Sequence, residues 1–331
     1  MEEYKSIKKT VNGVLGLYSF IKLFFLFSSL FLGIALKKLL SLFFSGDKLQ
    51  QVFNQFLGYG TLPGLLLSLI LSVLSLAVPI CIYMFLSGKR IKTTFRSRRP
   101  TVLQVGYSVS AAYFLGMAAL LVSQVLLSLL FSLFGMQDKW KAMLSETSAG
   151  PTNFWLIPLF FVVLAVLPGF LEEFLVRGIG LSATEKLGNG FTILFCGFFF
   201  GLMHNTWIQI PFATVLGCVL AYFTLKFDSI WVAVLAHFFY NFNSGFLSLL
   251  QTNVPEEHSI VATLIYVFLW GSLMAALLIA GIIVYGVRLP KPEQPCPVSF
   301  GKKLGVLFCS PFFYLFLILS VAVLFLQLLL Y

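Results

Sequence analysis

Six side chains that could take part in a chemical reaction lie inside otherwise apolar stretches of this sequence. They are Glu172, Glu173, Arg177, His204, His237 and Asn241. An ionisable group at membrane depth costs free energy and usually marks a functional site, so its partners must be found. The chemistry that this set could carry depends on which of its members share a helix face.

Helical spacing sorts these groups into pairs. Glu173 and Arg177 are four residues apart, so they share one face and can form an ion pair. Glu172 is rotated from Glu173 by roughly 100°, since a helix has about 3.6 residues per turn, and it has no local partner. His237 and Asn241 are again four apart and share a face.

This combination of groups suffices to hydrolyse an amide with water as the nucleophile. A carboxylate among apolar side chains is a better proton acceptor than one in water, which suits a general base. A nearby imidazole can hold the proton of the attacking water. A second histidine and an asparagine amide can donate hydrogen bonds to a developing oxyanion. No serine or cysteine lies in a nucleophile motif such as GxSxG.

Zinc chemistry is the competing interpretation. Glu172, His204 and His237 would form a set of two histidines and one glutamate, which is adequate for catalytic zinc. The sequence has no HExxH motif. The residues alone leave both interpretations open.

The composition predicts an all-α, polytopic transmembrane bundle of about nine spanning helices. Of the 331 residues, 59% are hydrophobic and only 10% are charged, against roughly 25% charged in soluble domains. A spanning helix needs about 20 apolar residues. The candidate segments are approximately 17–36, 62–87, 102–134, 154–187, 191–209, 211–226, 230–250, 260–287 and 304–330.

The basic residues predict the orientation of the chain. Lysine and arginine cluster in a few short loops, most densely from Lys89 to Arg99, and such loops are typically cytoplasmic. We expect a multi-pass protein of the cell membrane with its N-terminus in the cytoplasm. The net charge of +10 therefore reflects membrane topology, and we expect the lipid bilayer rather than nucleic acid as a partner.

The depth of the polar groups is compatible with one shared site. At a rise of about 1.5 Å per residue, Glu172 lies about 22 Å from a helix end at Leu187. His204 lies about 20 Å into a helix that starts near Phe191, and His237 and Asn241 lie about 10 to 17 Å from their helix start. Three helices could thus converge on a buried site that opens to the cytoplasm.

The ordered motifs resemble those of a known family. Glu172-Glu173-xxx-Arg177, Phe200-xxx-His204 and His237-xxx-Asn241 follow one another on successive apolar segments. In this order they resemble the CAAX protease and bacteriocin-processing (CPBP, or Abi) intramembrane proteases, which include the Rce1-type endopeptidases. The resemblance covers about residues 150–250 and implies a helical membrane fold with a cavity facing the cytoplasm.

The resemblance also implies a role for each motif residue. Glu172 would be the general base and His204 would help to activate the water, while His237 and Asn241 would bind the oxyanion. Glu173 and Arg177 would secure the site, and Phe200 would serve in packing. The family has been described both as zinc-dependent and as metal-independent. We favour the second description and no required cofactor, because an asparagine suits an oxyanion hole better than a zinc site.

We therefore expect a protease core at 151–253, between N-terminal helices at 1–150 of unassigned role and C-terminal helices at 254–331. The leading hypothesis is an intramembrane endopeptidase acting on a peptide or membrane-protein substrate. An alternative from the same family is an immunity protein that binds a peptide or partner without cutting it. A transporter or proton relay is a third possibility, which the lack of a clear internal repeat disfavours.

Overall fold

The computed structural model describes residues 2–88, 94–145, 150–289 and 298–330. Twelve helices and no strands lie in these ranges. The helices are α1 Glu2–Leu40, α2 Gly46–Leu57, α3 Leu62–Ser87, α4 Val102–Leu133, α5 Gln137–Ser145, α6 Phe154–Leu187, α7 Asn189–Met203, α8 Gln209–Phe227, α9 Ile230–Asn253, α10 Glu256–Tyr285, α11 Phe300–Phe308 and α12 Pro311–Leu330. The predicted all-α class is confirmed. Residues 89–93, which include Lys89 of the basic loop, lie outside the described residues.

Within the described residues, eight helices are long and apolar enough to cross a membrane. They are α1, α3, α4, α6, α8, α9, α10 and α12, and they confirm a polytopic membrane protein. The remaining predicted segment, at 191–209, corresponds to α7, which has only 15 residues. At about 1.5 Å per residue α7 measures roughly 22 Å, which is shorter than a hydrocarbon core of about 30 Å.

Two of the predicted segment boundaries are wrong. The segment at 191–209 was expected to be one helix, but α7 ends at Met203 and His204 has an extended backbone. The segment at 304–330 is broken between α11 and α12, where Pro311 cannot continue a helix because it has no N–H to donate. The Ser310 hydroxyl at this break bonds Asn12 of α1 at 2.5 Å.

The helix ends follow local sequence rules. Thr101 begins α4 with a capping box, in which its hydroxyl accepts from the Gln104 N–H and the Gln104 side chain accepts from the Thr101 N–H. Asp228 ends α8 in the left-handed region with φ 51°, which allows the chain to turn directly into α9. The guanidinium of Arg96 then bonds Glu185 at 2.7 Å and also Asp228, so that it ties α6 to the turn between α8 and α9.

Helix α6 is a continuous run of 34 residues with mixed geometry. Wider π-helical turns at Val162–Val166 and Phe174–Gly180 enclose an α-helical turn at Leu167–Glu173. Such turns are frequent at functional sites, because they displace side chains and free backbone groups from the regular ladder. The acidic pair of the sequence lies at the second junction.

The core places α4 and α8 at the centre of the bundle. Helix α4 packs against α8, α9 and α10, while α8 packs against α7, and α1 packs against α12. One continuous set of buried apolar residues joins these helices, from Val11 of α1 to Phe316 of α12. The predicted boundaries at 150 and 253 stay a prediction.

Small residues let α7 and α8 approach closely. The Gly217 position lies against Gly197, so that a Cβ added to Gly217 would be 2.9 Å from the Gly197 Cα. A Cβ on Gly197 would overlap the Cys218 Sγ and lie 2.8 Å from the Thr214 carbonyl oxygen. Helices in membranes use such small residues to bring their backbones together.

We predict that Gly197→Ala lowers the free energy of unfolding by about 1 to 3 kcal/mol, because its methyl group overpacks the α7–α8 contact. Thermal unfolding in detergent measures this change. Gly190→Ala in the same helix is the matched control, since an added Cβ there meets nothing within 4 Å. Equal melting temperatures for both variants would contradict the packing assigned to Gly197.

Candidate active site

Glu173 and Arg177 form a fully buried ion pair on α6. The Arg177 Nη1 donates to the Glu173 Oε1 at 2.8 Å, and both side chains have 0% exposure. The four-residue spacing predicts this pair correctly, although it crosses the junction into the π-helical turn. Arg177 also donates from Nη2 to the Gly217 carbonyl oxygen at 2.8 Å, and its guanidinium lies 4.4 Å from the centre of the Phe200 ring.

The same Glu173 oxygen holds His237 of α9. The distance from the His237 Nδ1 to the Glu173 Oε1 is 2.9 Å, and the imidazole is buried. One carboxylate oxygen therefore joins an arginine of its own helix to a histidine 64 residues later. Hydrogen bonds to an ionised partner are shorter and stronger than neutral ones.

The hydrogen bonds of Asn241 show which ring nitrogen of His237 carries the proton. The Asn241 Nδ2 lies 3.1 Å from the Leu164 carbonyl oxygen and 3.2 Å from the His237 Nε2. A carbonyl oxygen only accepts, so the amide nitrogen faces it and donates to both partners. The Nε2 of His237 is then the acceptor, and the proton is on Nδ1, which donates it to Glu173.

A proline explains why the Leu164 carbonyl is available. Pro168 follows Leu164 by four residues and has no N–H to donate to it. Membrane helices tolerate proline where a neighbouring group binds the freed carbonyl, and Asn241 of α9 supplies that group. The backbone of α6 thus sets the orientation of the amide, and the amide sets the tautomer of the imidazole.

His204 lies just beyond the end of α7 rather than inside a helix. Its backbone is extended, with φ −71° and ψ 149°, and its Nδ1 lies 2.9 Å from the Phe200 carbonyl oxygen. Because that oxygen only accepts, Nδ1 carries the proton and the Nε2 of the neutral ring is free to accept. The Phe200 ring lies between the two histidines, 5.1 Å from His204 and 5.5 Å from His237 between ring centres.

Glu172 differs from Glu173 in its burial and in its hydrogen bonding. Its side chain is only partly buried, and it has no hydrogen-bond or ion-pair partner in the described part of the chain. Its charge acts on His204 and on Tyr59, which follows α2. Glu172 is thus the acidic group of the site that is free to bind a water molecule or a substrate.

The set proposed for zinc does not form a metal-binding cluster here. Across the four described ranges, no group of three or more His, Cys, Asp or Glu side chains is placed to hold a metal ion. Glu172, His204 and His237 are therefore not arranged as zinc ligands in this conformation.

Sequence reasoning missed two residues near the site. Lys22 of α1 is buried and donates to the carbonyl groups at the end of α7. It is a lysine in the first apolar segment, so the rule that singled out Glu172 also applied to it. Tyr59 lies in a short turn after α2 and carries no comparable sequence signal.

We predict that Arg177→Met lowers the free energy of unfolding by about 3 to 5 kcal/mol, because it leaves a buried carboxylate with one partner fewer. Arg96→Met is the matched control. Its partners, Glu185 and Asp228, are 36% and 58% exposed, so the expected loss is about 1 kcal/mol or less. Chemical unfolding in detergent compares the two, and an equal loss would contradict the buried ion pair.

Comparison with known proteins identifies the segment that carries these groups. Residues 153–243 match the family model described as type II CAAX prenyl endopeptidase Rce1-like. No curated protein and no solved structure matches the chain. All six motif residues lie within the matched segment, whereas Lys22 and Tyr59 lie outside it. The family resemblance predicted from the motifs is thus confirmed over residues 153–243, which match the model of the Rce1-like endopeptidase family.

Proposed function

We propose that this protein is an intramembrane endopeptidase that uses Glu172 to activate a water molecule. The observation that carries the proposal is the difference in bonding between two adjacent glutamates. Glu173 is committed to Arg177 and His237, while Glu172 has no hydrogen-bond or ion-pair partner among the described residues, and its charge reaches His204. A general base needs such an accessible carboxylate, held by a rigid neighbourhood.

The reaction begins when the Glu172 carboxylate takes a proton from water. The water oxygen attacks the carbonyl carbon of the scissile peptide bond, and the negative charge moves to the carbonyl oxygen. The free Nε2 of His204 accepts a hydrogen bond from the same water and so orients it. When the carbon–nitrogen bond breaks, Glu172 returns the proton to the leaving amine, so that no proton is gained or lost overall.

Asn241 and His237 are the groups proposed to stabilise the oxyanion. Both amide protons of Asn241 are already donated, to Leu164 and to the His237 Nε2. Substrate must therefore replace the longer of these bonds, the one to His237, for Asn241 to donate to an oxyanion. His237 can join as a donor only when its Nε2 also carries a proton, and the Glu173 carboxylate stabilises that imidazolium.

The substrate is proposed to be a peptide or a membrane protein that reaches the site within or beside the bilayer. The basic loops support a cytoplasmic N-terminus and a cavity that faces the cytoplasm, and the cell membrane is the proposed location. A prenylated C-terminal tail is the substrate class that the family description names. Leader peptides and small membrane proteins offer the same peptide bond without the lipid.

We predict that Glu172→Gln lowers kcat/KM by about 100-fold to 10,000-fold, the range typical of a lost general base. The measurement is cleavage of fluorogenic peptides in liposomes, with farnesylated and plain versions of each sequence. Glu257→Gln is the matched control, because Glu257 is 76% exposed and lies 3.4 Å from the His258 ring, outside the motif residues. Both variants should insert and melt like the parent.

Three results of this assay would change the proposal. Full activity of Glu172→Gln would exclude Glu172 as the base. Loss of activity on chelation and recovery with zinc would support the metal-dependent alternative. A parent protein that captures peptides by crosslinking but leaves them uncut would favour the binding or immunity function.

A further inference from the structure

Lys22 is a cation buried inside a membrane-spanning helix. It belongs to α1, which lies outside the matched family segment in the sequence, and its residue is only 4% exposed. Lys22 has no acidic partner in the part of the chain that the structure describes. A buried ammonium without a counter-ion is costly, so the groups that bind it must compensate.

The partners of Lys22 are the last carbonyl groups of α7. Its Nζ lies 2.6 Å from the Leu202 oxygen, 3.3 Å from the His204 oxygen and 3.5 Å from the Met203 oxygen. The final carbonyls of a helix have no partner within the helix, and they carry its negative dipole end. An ammonium group with three donors matches this end in both charge and hydrogen bonding.

These bonds fix the residue that follows the helix. The His204 carbonyl is bound by Lys22, and the His204 ring is bound through Nδ1 to Phe200. Its main chain and its imidazole are thus both held, so the direction of the free Nε2 is set. The Ser320 hydroxyl of α12 also lies 3.3 Å from the Leu202 oxygen, but its one proton is shared with the closer Phe316 carbonyl oxygen at 2.9 Å.

We propose that Lys22 is a positioning residue, which holds the end of α7 and thereby sets the direction of the His204 imidazole. It does not contact substrate in this role, since its ammonium faces backbone carbonyls. Its effect on cleavage rests on the proposed function, but its effect on the position of His204 does not. The inference gives α1, a helix outside the family segment, a part in building the site.

The first test measures cleavage by Lys22 variants. Lys22→Met should lower kcat/KM by about 10-fold to 100-fold, mainly through kcat, since a displacement of about 1 Å can cost that much. Lys22→Arg should recover most of the activity, because a guanidinium can donate to the same carbonyls. In a His204→Ala background, Lys22→Met should change kcat/KM less than about 3-fold, because groups that act as a unit are not additive.

The matched control is Lys226→Met. The Lys226 ammonium also binds backbone carbonyls near a helix end. It lies 3.1 Å from the oxygen of Tyr285, the last residue of α10, and 2.8 Å from the oxygen of Arg288, three residues later. Lys226→Met should leave kcat/KM within about 3-fold of the parent value. Equal losses for Lys22→Met and Lys226→Met would show a general effect on stability and would overturn the proposal.

The second test does not depend on cleavage. The chain has three histidines, so ¹⁵N-histidine NMR in detergent reports on His204, His237 and His258 separately. Lys22→Met should shift the His204 signals and leave those of His258 unchanged. Unchanged His204 signals in a folded Lys22→Met protein would overturn the proposal, even if the parent cleaves no peptide.

Two further variants keep the test decisive if Lys22→Met fails to fold. Lys22→Arg should keep the His204 signals close to those of the parent, because a guanidinium can donate to the same carbonyls. Ser320→Ala removes a hydroxyl that Leu202 shares with Phe316, so it should shift the His204 signals less than any change that removes the Lys22 ammonium. If Lys22→Arg disturbs the signals of all three histidines equally, Lys22 does not position His204.

Discussion

The buried carboxylate of Glu173 is the constraint on which the rest of the site depends. A bare anion at this depth would cost several kcal/mol, so neighbouring side chains must supply donors or positive charge. Arg177 and His237 both bond the same oxygen, and Arg177 extends the network to the backbone of α8. That last bond needs a close approach of α6, α7 and α8, which the glycines of α7 and α8 permit.

The two adjacent glutamates lie on different faces of α6 and therefore differ in their bonding. A rotation of roughly 100° along the helix places Glu173 among three helices and leaves Glu172 without a hydrogen-bond or ion-pair partner among the residues that the structure describes. The π-helical turns of α6 and the proline that frees the Leu164 carbonyl then orient Asn241, and Asn241 orients His237. The backbone carbonyls of Leu164, Phe200 and Gly217 thus help to hold the site, because they are rigid acceptors inside the bundle.

The sequence predicts the local part of this arrangement well. Apolar length identifies the spanning helices, and four-residue spacing identifies both the Glu173–Arg177 pair and the contact between His237 and Asn241. The bond from Glu173 to His237 joins residues 64 apart, and the bond from Lys22 to His204 joins residues 182 apart. No periodicity encodes such contacts, because they depend on how whole helices pack.

The ends of the helices were also hard to predict. The prediction extended α7 to residue 209, although the polar residues His204, Asn205 and Thr206 follow Met203, and the backbone ends the helix there. The break before Pro311 had a clear signal in the proline itself, but the apolar run on both sides hid it. Helix α2 has only 12 residues and was missed because it is too short to span.

Glu173 holds His237 in one tautomer, and the ¹⁵N-histidine spectrum of the parent protein reports this tautomer. We expect a neutral His237 ring with its proton on Nδ1 and an unprotonated Nε2, because Glu173 accepts on one side and Asn241 donates on the other. A His237 ring that carries its proton on Nε2 alone would contradict it, since Nδ1 would then have nothing to donate to the buried carboxylate.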